Sequence, residues 1–191
     1  MIAIEEKIAS GIAARIREER ARRRWSIADL ADRSGVSKAM ISAIEREAAS
    51  PTAVLLVRLA TAFGMTLSAL IARAEGGGGG LMRRADQAEW RDPETGYVRR
   101  LLSPPAGNGL ELVRVSLPAG ATVRFPAESY AFLRQQVWLI DGRLDFFEGD
   151  RVHRMEPGDC LALGAPADCA FHAPGPGPAE YLVALAREAR T

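Results

Sequence analysis

The 191-residue chain is long enough for one large domain or two small ones, and its 48% hydrophobic and 26% charged residues suit buried globular cores rather than a disordered, charge-dominated segment. The net charge of +1 conceals an asymmetry: residues 1–75 carry +3 and residues 81–191 carry −2, which suits a polyanion-binding head on a neutral-to-acidic body. No apolar run approaches the ~18 residues of a membrane span, and the opening MIAIEEKIASG lacks the basic-then-apolar order of a secretory leader, so a cytoplasmic chain without a membrane partner is expected.

The first 75 residues read as helices. Apolar residues recur at three- and four-residue spacing through Ile8, Ile12 and Ile16, then Ile27, Leu30 and Ala31, then Met40, Ile41 and Ile44. The pattern continues in Leu55, Leu56, Leu59, Ala60 and Phe63, and again in Leu67, Leu70 and Ile71. Ser26, with Asp29 three residues later, forms a capping signal, and Ser37 stands where another helix opens. Ser50-Pro51-Thr52 supplies a cap region for the fourth helix, Thr66 caps the fifth, and Gly35 and Gly64 stop the second and fourth. Arg15, Arg17, Arg20, Arg22, Arg23 and Arg24 crowd into ten residues. They read either as a solvated helix face or as a source of attraction to a polyanion.

Five consecutive glycines, Gly76–Gly80, exclude a helix or strand interior and predict a tether spanning about 12 Å. The expected domains are therefore 1–75 and 81–191. After the tether, short β-rich runs alternate with Gly/Pro turns: Leu110–Leu117, Thr122–Phe125, Gln136–Ile140, Arg143–Phe147, Arg151–Met155, Cys160–Leu163, Cys169–His172 and Tyr181–Ala186. Asp141-Gly142 is a hairpin signal between two of these runs. Evenly spaced strands over about 110 residues predict an all-β sandwich or barrel. Cys160 and Cys169 are too few for a disulfide framework and are expected as free thiols, with Cys160 in buried packing.

The order Leu30-Ala31…Gly35-Val36-Ser37…Ile41-Ser42…Ile44-Glu45, followed by Ser50-Pro51-Thr52 and Gly64-Met-Thr-Leu-Ser-Ala-Leu70, resembles the repressor-type helix-turn-helix family called XRE. The resemblance implies a sequence-specific transcriptional regulator whose partner is double-stranded DNA. Gly35 would permit the turn, Val36 would plug the angle between helices, and Ser37 would cap the recognition helix. On that helix Lys38, Ala39 and Ser42 lie on the outward face, with chemistry suited to guanine, a thymine methyl and several base edges respectively. Met40 divides evenly between packing and DNA. Arg46, Ser50 and Thr52 are expected at phosphates. Ile27 stands where the family usually carries a glutamine that touches DNA, so one polar contact is absent. The resemblance also pairs Glu45 internally with Arg20.

The second half resembles a cupin, a small jelly-roll barrel, through Gly120, Gln135…Gly142 and Pro157-Gly158-Asp159. Cupins usually hold a metal with a glutamate and three histidines. Here Gln135 takes the glutamate position, Cys169 takes the last histidine position, and Phe125–Phe132 contains no histidine. Neither a metal nor any other cofactor is therefore expected. His153 is expected at the surface, and His172 on the wall opposite Cys169. Arg124, Tyr130, Gln135, Trp138, Phe146, Cys169 and Phe171 are the candidate walls of a pocket for a small-molecule effector, or alternatively the filling of a ligand-free core. The whole predicts a non-enzymatic, homodimeric regulator. A metal-dependent cupin enzyme with a DNA-binding appendage and a ligand-free interaction module are the alternatives.

Overall fold

The computed structural model describes residues 2–71, 81–104, 110–130 and 133–187, with side chains placed for all of these except 2–10, 68, 130 and 187. The predicted glycine tether lies outside the described residues. The chain divides into two compact units, Met1–Ala74 and Glu75–Thr191.

The first unit contains α1 (Ile2–Arg22), α2 (Ile27–Ser34), α3 (Lys38–Glu45), α4 (Ala53–Phe63) and α5 (Leu67–Ile71). Helices of five to eleven residues are marginal alone, so a shared core must hold α2 to α5. Ile16, Leu30, Ile41, Leu56 and Leu59 are fully buried in that core. Each such side chain contributes about 1.5–3 kcal/mol by leaving water. The caps define the boundaries. Ser26 and Asp29 form a reciprocal capping box, while Ser37, Thr52 and Thr66 accept from the backbone N–H three residues on. Gly35 ends α2 in the left-handed region, with φ 66°, and Val36 beside it is 2% exposed, as a plug between α2 and α3 should be.

Glu45 is buried and receives Arg20 in a two-pronged pair, Nε to Oε1 at 2.7 Å and Nη2 to Oε2 at 2.8 Å. Arg17 donates to the Glu45 carbonyl. The family resemblance implied this Arg20–Glu45 pairing. Glu19 is likewise buried, and gathers Arg15, Arg22 and Arg23. Much of the arginine cluster therefore holds the domain together instead of standing as free positive charge.

Among its described residues the second unit has ten strands: β1 (Glu89–Arg91), β2 (Val98–Leu101), β3 (Leu110–Leu117), β4 (Thr122–Phe125), β5 (Leu133–Asp141), β6 (Leu144–Glu148), β7 (Arg151–Met155), β8 (Cys160–Ala162), β9 (Cys169–His172) and β10 (Ala179–Arg187). One antiparallel sheet runs β1-β2-β3-β10-β5-β8, the other β4-β9-β6-β7. Strands β3 to β10 follow the double Greek-key order of a jelly roll, β3-β10-β5-β8 facing β4-β9-β6-β7, with β1 and β2 added at one edge of the first sheet. The two sheets remain separate ladders, so the domain is a jelly-roll sandwich and not a closed barrel.

Two sequence expectations change here. The β1–β2 pair was not anticipated, although Asp92-Pro-Glu-Thr-Gly96 is its turn signal, with Asp92 accepting from the Thr95 N–H and hydroxyl. Asp141-Gly142 does not close a hairpin. Strand β5 pairs with β10 and β8, whereas β6 pairs with β7 and β9, so this turn carries the chain from one sheet to the other. Gly142 has φ 82°, and a Cβ there would sit 2.3 Å from the Pro178 carbonyl oxygen. A close approach of two backbones demanded the glycine. The tight hairpin joins β6 to β7, through Gly149-Asp150.

Candidate nucleic-acid interface and jelly-roll interior

Helix α3 buries Ile41, Ile44 and Glu45 and turns the opposite side to solvent. Ser37, Lys38, Ala39 and Arg46 are exposed, and Ser42 is half-buried. The Ser37 hydroxyl oxygen accepts from the Met40 N–H at 3.2 Å, so the N-terminus of α3 opens with Lys38 and Ala39 at its tip. Met40 and Ala43 are half-buried. Ala43 was overlooked in the sequence, yet it stands four residues after Ala39 on the same face, one turn along. The Arg46 Nη1 donates to the Ser42 hydroxyl at 2.8 Å.

After α3 the chain turns at Glu47, a non-glycine residue with φ 61°. It continues through exposed Ser50 into α4. Thr52 is half-buried and its hydroxyl already accepts the Leu55 N–H as the α4 cap, so a DNA contact would have to use its remaining hydrogen. Arg23 packs over the rings of Trp25 and Phe63, and Arg33 lies 4.5 Å from the Trp25 ring centroid. These stacks fix the junction of α1, α2 and α4.

In the jelly roll, strand alternation decides which candidates share a pocket. On β5, Gln135, Val137 and Leu139 are buried while Gln136 and Trp138 are exposed. Trp138 is 47% exposed on the outer face of the six-stranded sheet, which removes it from the interior. Arg124 is exposed between inward-facing Val123 and Phe125 and leaves the interior for the same reason. Both corrections follow from period-two geometry, since each residue sits one position away from a core residue. The Tyr130 side chain lies outside the described ones, and its backbone ends a short 3₁₀ turn, Ala127–Tyr130.

Gln135, Phe146, Cys169 and Phe171 do point inward and are buried. Phe171 stacks on Tyr181 at 5.5 Å and meets Phe146 edge-on at 4.7 Å, bridging the two sheets as core. Burial pushes the Tyr181 phenol well above its usual range. Gln135, Phe146 and Cys169 also line a pocket with Leu133, Glu148 and Leu163. The pocket encloses about 280 Å³ when its open mouth is counted, but its walls leave room for about one water.

Glu148 is the anion of this pocket. Its Oε1 accepts the Gly164 N–H at 2.6 Å, and its Oε2 lies 3.4 Å from His153 Nε2. His153 is half-buried rather than on the surface, because it shares the inward face of β7 with Met155. Its Nε2 has no aligned hydrogen bond, although a protonated ring would attract the carboxylate. His172 faces away from Cys169, with Nδ1 2.9 Å from the Thr122 hydroxyl. Cys160 is exposed instead of buried, since β8 is an edge strand. Among the described residues no three His, Cys, Asp or Glu side chains gather as a metal cluster.

Arg99 is the interior cation that the sequence did not reveal. It pairs across the ladder with fully buried Val115, which puts it on the inner face of β2, with Nη1 3.5 Å from the Tyr97 hydroxyl. Alternation toward Leu101 was the available signal, but β2 itself had not been recognised.

The chain is thus an all-α helix-turn-helix domain followed by an all-β jelly roll. Residues 16–70 match the helix-turn-helix family HTH_3. The HTH-type transcriptional regulator SutR of Escherichia coli (strain K12) is 38% identical over 66 residues, a match spanning 35% of this chain and 37% of that regulator. The crystal structure of an HTH_3 family transcriptional regulator from Vibrio cholerae superposes with a TM-score of 0.82 at 21% identity, covering 97% of this chain and 99% of that one. That similarity extends the shared fold through both domains. The Cupin_2 domain of an XRE family transcriptional regulator from Enterobacter cloacae aligns at a TM-score of 0.45 and 15% identity, over 49% of this chain and 98% of that one. The jelly-roll assignment rests on strand order and not on that weaker overlap.

Proposed function

We propose that this protein is a cytoplasmic, sequence-specific DNA-binding transcriptional regulator, acting as a homodimer, whose jelly roll responds to a small-molecule effector without a metal. The observation that carries the reading is α3. It is capped at Ser37, anchored by Ile41, Ile44 and Glu45, and turns Lys38, Ala39 and Ser42 outward. Lys38 would donate to guanine O6 or N7, and the Ala39 methyl would meet a thymine methyl. Ser50 beyond the helix would touch phosphate.

Homodimer formation is supported by exposed Trp138 and Ile140, two positions apart on the outer face of β5 in the six-stranded sheet. A paired body would set two heads on half-sites about one DNA turn apart. Effector binding is supported by Gln135, Glu148 and Cys169 at one pocket and by inward Arg99. The effector would act by changing body or dimer geometry.

The direct test is selection of bound duplexes from a randomised pool, followed by titration at several salt concentrations. The expected outcome is a defined consensus, an affinity that falls steeply with salt, and an about 5- to 150-fold loss at one base position for Lys38→Ala. Absence of any salt-sensitive duplex affinity overturns the reading.

A further inference from the structure

We propose that Arg46 reads a base edge, and that Ser42 is the positioning residue that aims it. This inference rests on the DNA-binding reading above and reassigns Arg46 from the phosphate contact that its place after the helix suggested.

Arg46 follows α3 as its C-cap residue, with φ −93° and ψ 5°. It stands seven residues after Ala39 and four after Ser42, so nearly two full turns bring it back onto the solvent-facing stripe. A helical side chain leans toward the N-terminus of its own helix, over the preceding turn. Arg46 does so here: its Nη1 donates to the Ser42 hydroxyl at 2.8 Å, which lays the guanidinium along α3 instead of letting it trail toward the following loop.

The surroundings make the placement consequential. Ala39 and Ala43 on the same face carry only methyl groups, so α3 can approach a groove floor closely. Neighbouring arginines are otherwise engaged. Arg20 is held by Glu45, Arg22 and Arg23 by Glu19, and Arg33 lies over Trp25. No carboxylate forms an ion pair with Arg46 among the described residues. One Nη1 hydrogen is spent on Ser42, and the Nε and Nη2 edge remains as a planar two-donor fork. Such a fork matches guanine O6 and N7, whereas an ammonium offers only a point charge.

Full-length protein and its Arg46→Ala, Arg46→Lys, Ser42→Ala and Ser42→Thr variants would each select duplexes from a randomised pool, with affinities measured across salt. Circular dichroism would confirm that each variant is folded. The wild type should prefer guanine at a position of each half-site distinct from the one that Lys38 reads. Arg46→Ala should erase that preference by about 5- to 150-fold while leaving the other positions intact. Arg46→Lys should keep the overall affinity and salt slope but not the preference. Ser42→Ala should relax the same position by a smaller factor, and Ser42→Thr should retain it.

A phosphate contact would behave differently. Arg46→Ala would then weaken every duplex alike and lower the salt slope by about one, while Arg46→Lys would restore both. That result overturns the proposal and leaves the DNA-binding reading standing. A wild-type protein that selects no duplex overturns both.

Discussion

The helix-turn-helix unit places its chemistry on the outside of one eight-residue helix, whereas the jelly roll places its polar groups on the inner faces of strands from both sheets. In the first, local capping and three-four spacing determine which side chains meet solvent. In the second, a residue's role depends on which strand it joins and which way the pleat turns it. Lys38, Ala39 and Ser42 therefore stay where the sequence suggested, while Trp138 and Arg124 move to the outside and Arg99, on a strand the sequence did not reveal, lies on an inner face. An exterior site tolerates error in tertiary reasoning. An interior site does not.

The largest expected effect separates the two units by stability. Glu45→Ala removes the carboxylate that holds Arg20 and should cost the helical unit about 3 kcal/mol, because a partly buried guanidinium loses its partner. Thermal unfolding should show one early helical transition, with the β transition unchanged. A single unchanged transition would break the division.

Gly142→Ala tests the other unit. Its Cβ would collide with the Pro178 carbonyl oxygen at a left-handed position, so a loss of about 2–3 kcal/mol is expected in the β transition alone. DNA affinity should be unchanged in urea titrations run at low denaturant.

Smaller in size and opposite in sign, Glu47→Gly should relieve the φ of 61° after α3. Part of the gain is offset by the greater freedom of glycine in the unfolded chain, leaving about 0.5 kcal/mol in favour of the helical unit. A differential scanning trace in which the helical transition falls would contradict this.

The smallest effect concerns acid. Hydrogen bonds from the Ser26 N–H and hydroxyl hold the exposed Asp29 carboxyl below its usual range. A depressed folded-state value gives stability that is present above the unfolded value and is lost as pH falls through the folded one. Asp29→Asn should therefore lower the helical unit's stability at neutral pH, change it least in strong acid, and so flatten the stability profile across the carboxylate range, as read by thermal unfolding at stepped pH.

Most of the fold was legible because its signals are local. Ser26, Ser37 and Thr66 each accept the N–H three residues on, and Gly35 and Gly64 close helices in the left-handed region. Eight strands could be located because Gly/Pro turns bound their apolar runs, and alternation correctly grouped Gln135 with Val137 and Leu139. The first strand pair escaped because Glu89–Arg91 and Val98–Leu101 are short and rich in charge. Asp141-Gly142 misled because an Asp-Gly pair reports a tight turn but not the sheet that the next strand will enter.

The sequence by itself determined the helix-turn-helix order, its caps, the outward residues of α3 and the Glu45–Arg20 pairing that the family pattern implied. Only the tertiary structure decided that β5 and β6 belong to different sheets, that Glu148 and His153 meet beside Gln135 and Cys169, and that Arg99 faces the core. The physical reason is range. A cap or a helix face is set within one or two turns of chain, whereas a jelly-roll interior is assembled from strands that are far apart in sequence, and a one-residue change of register reverses every side chain on a strand.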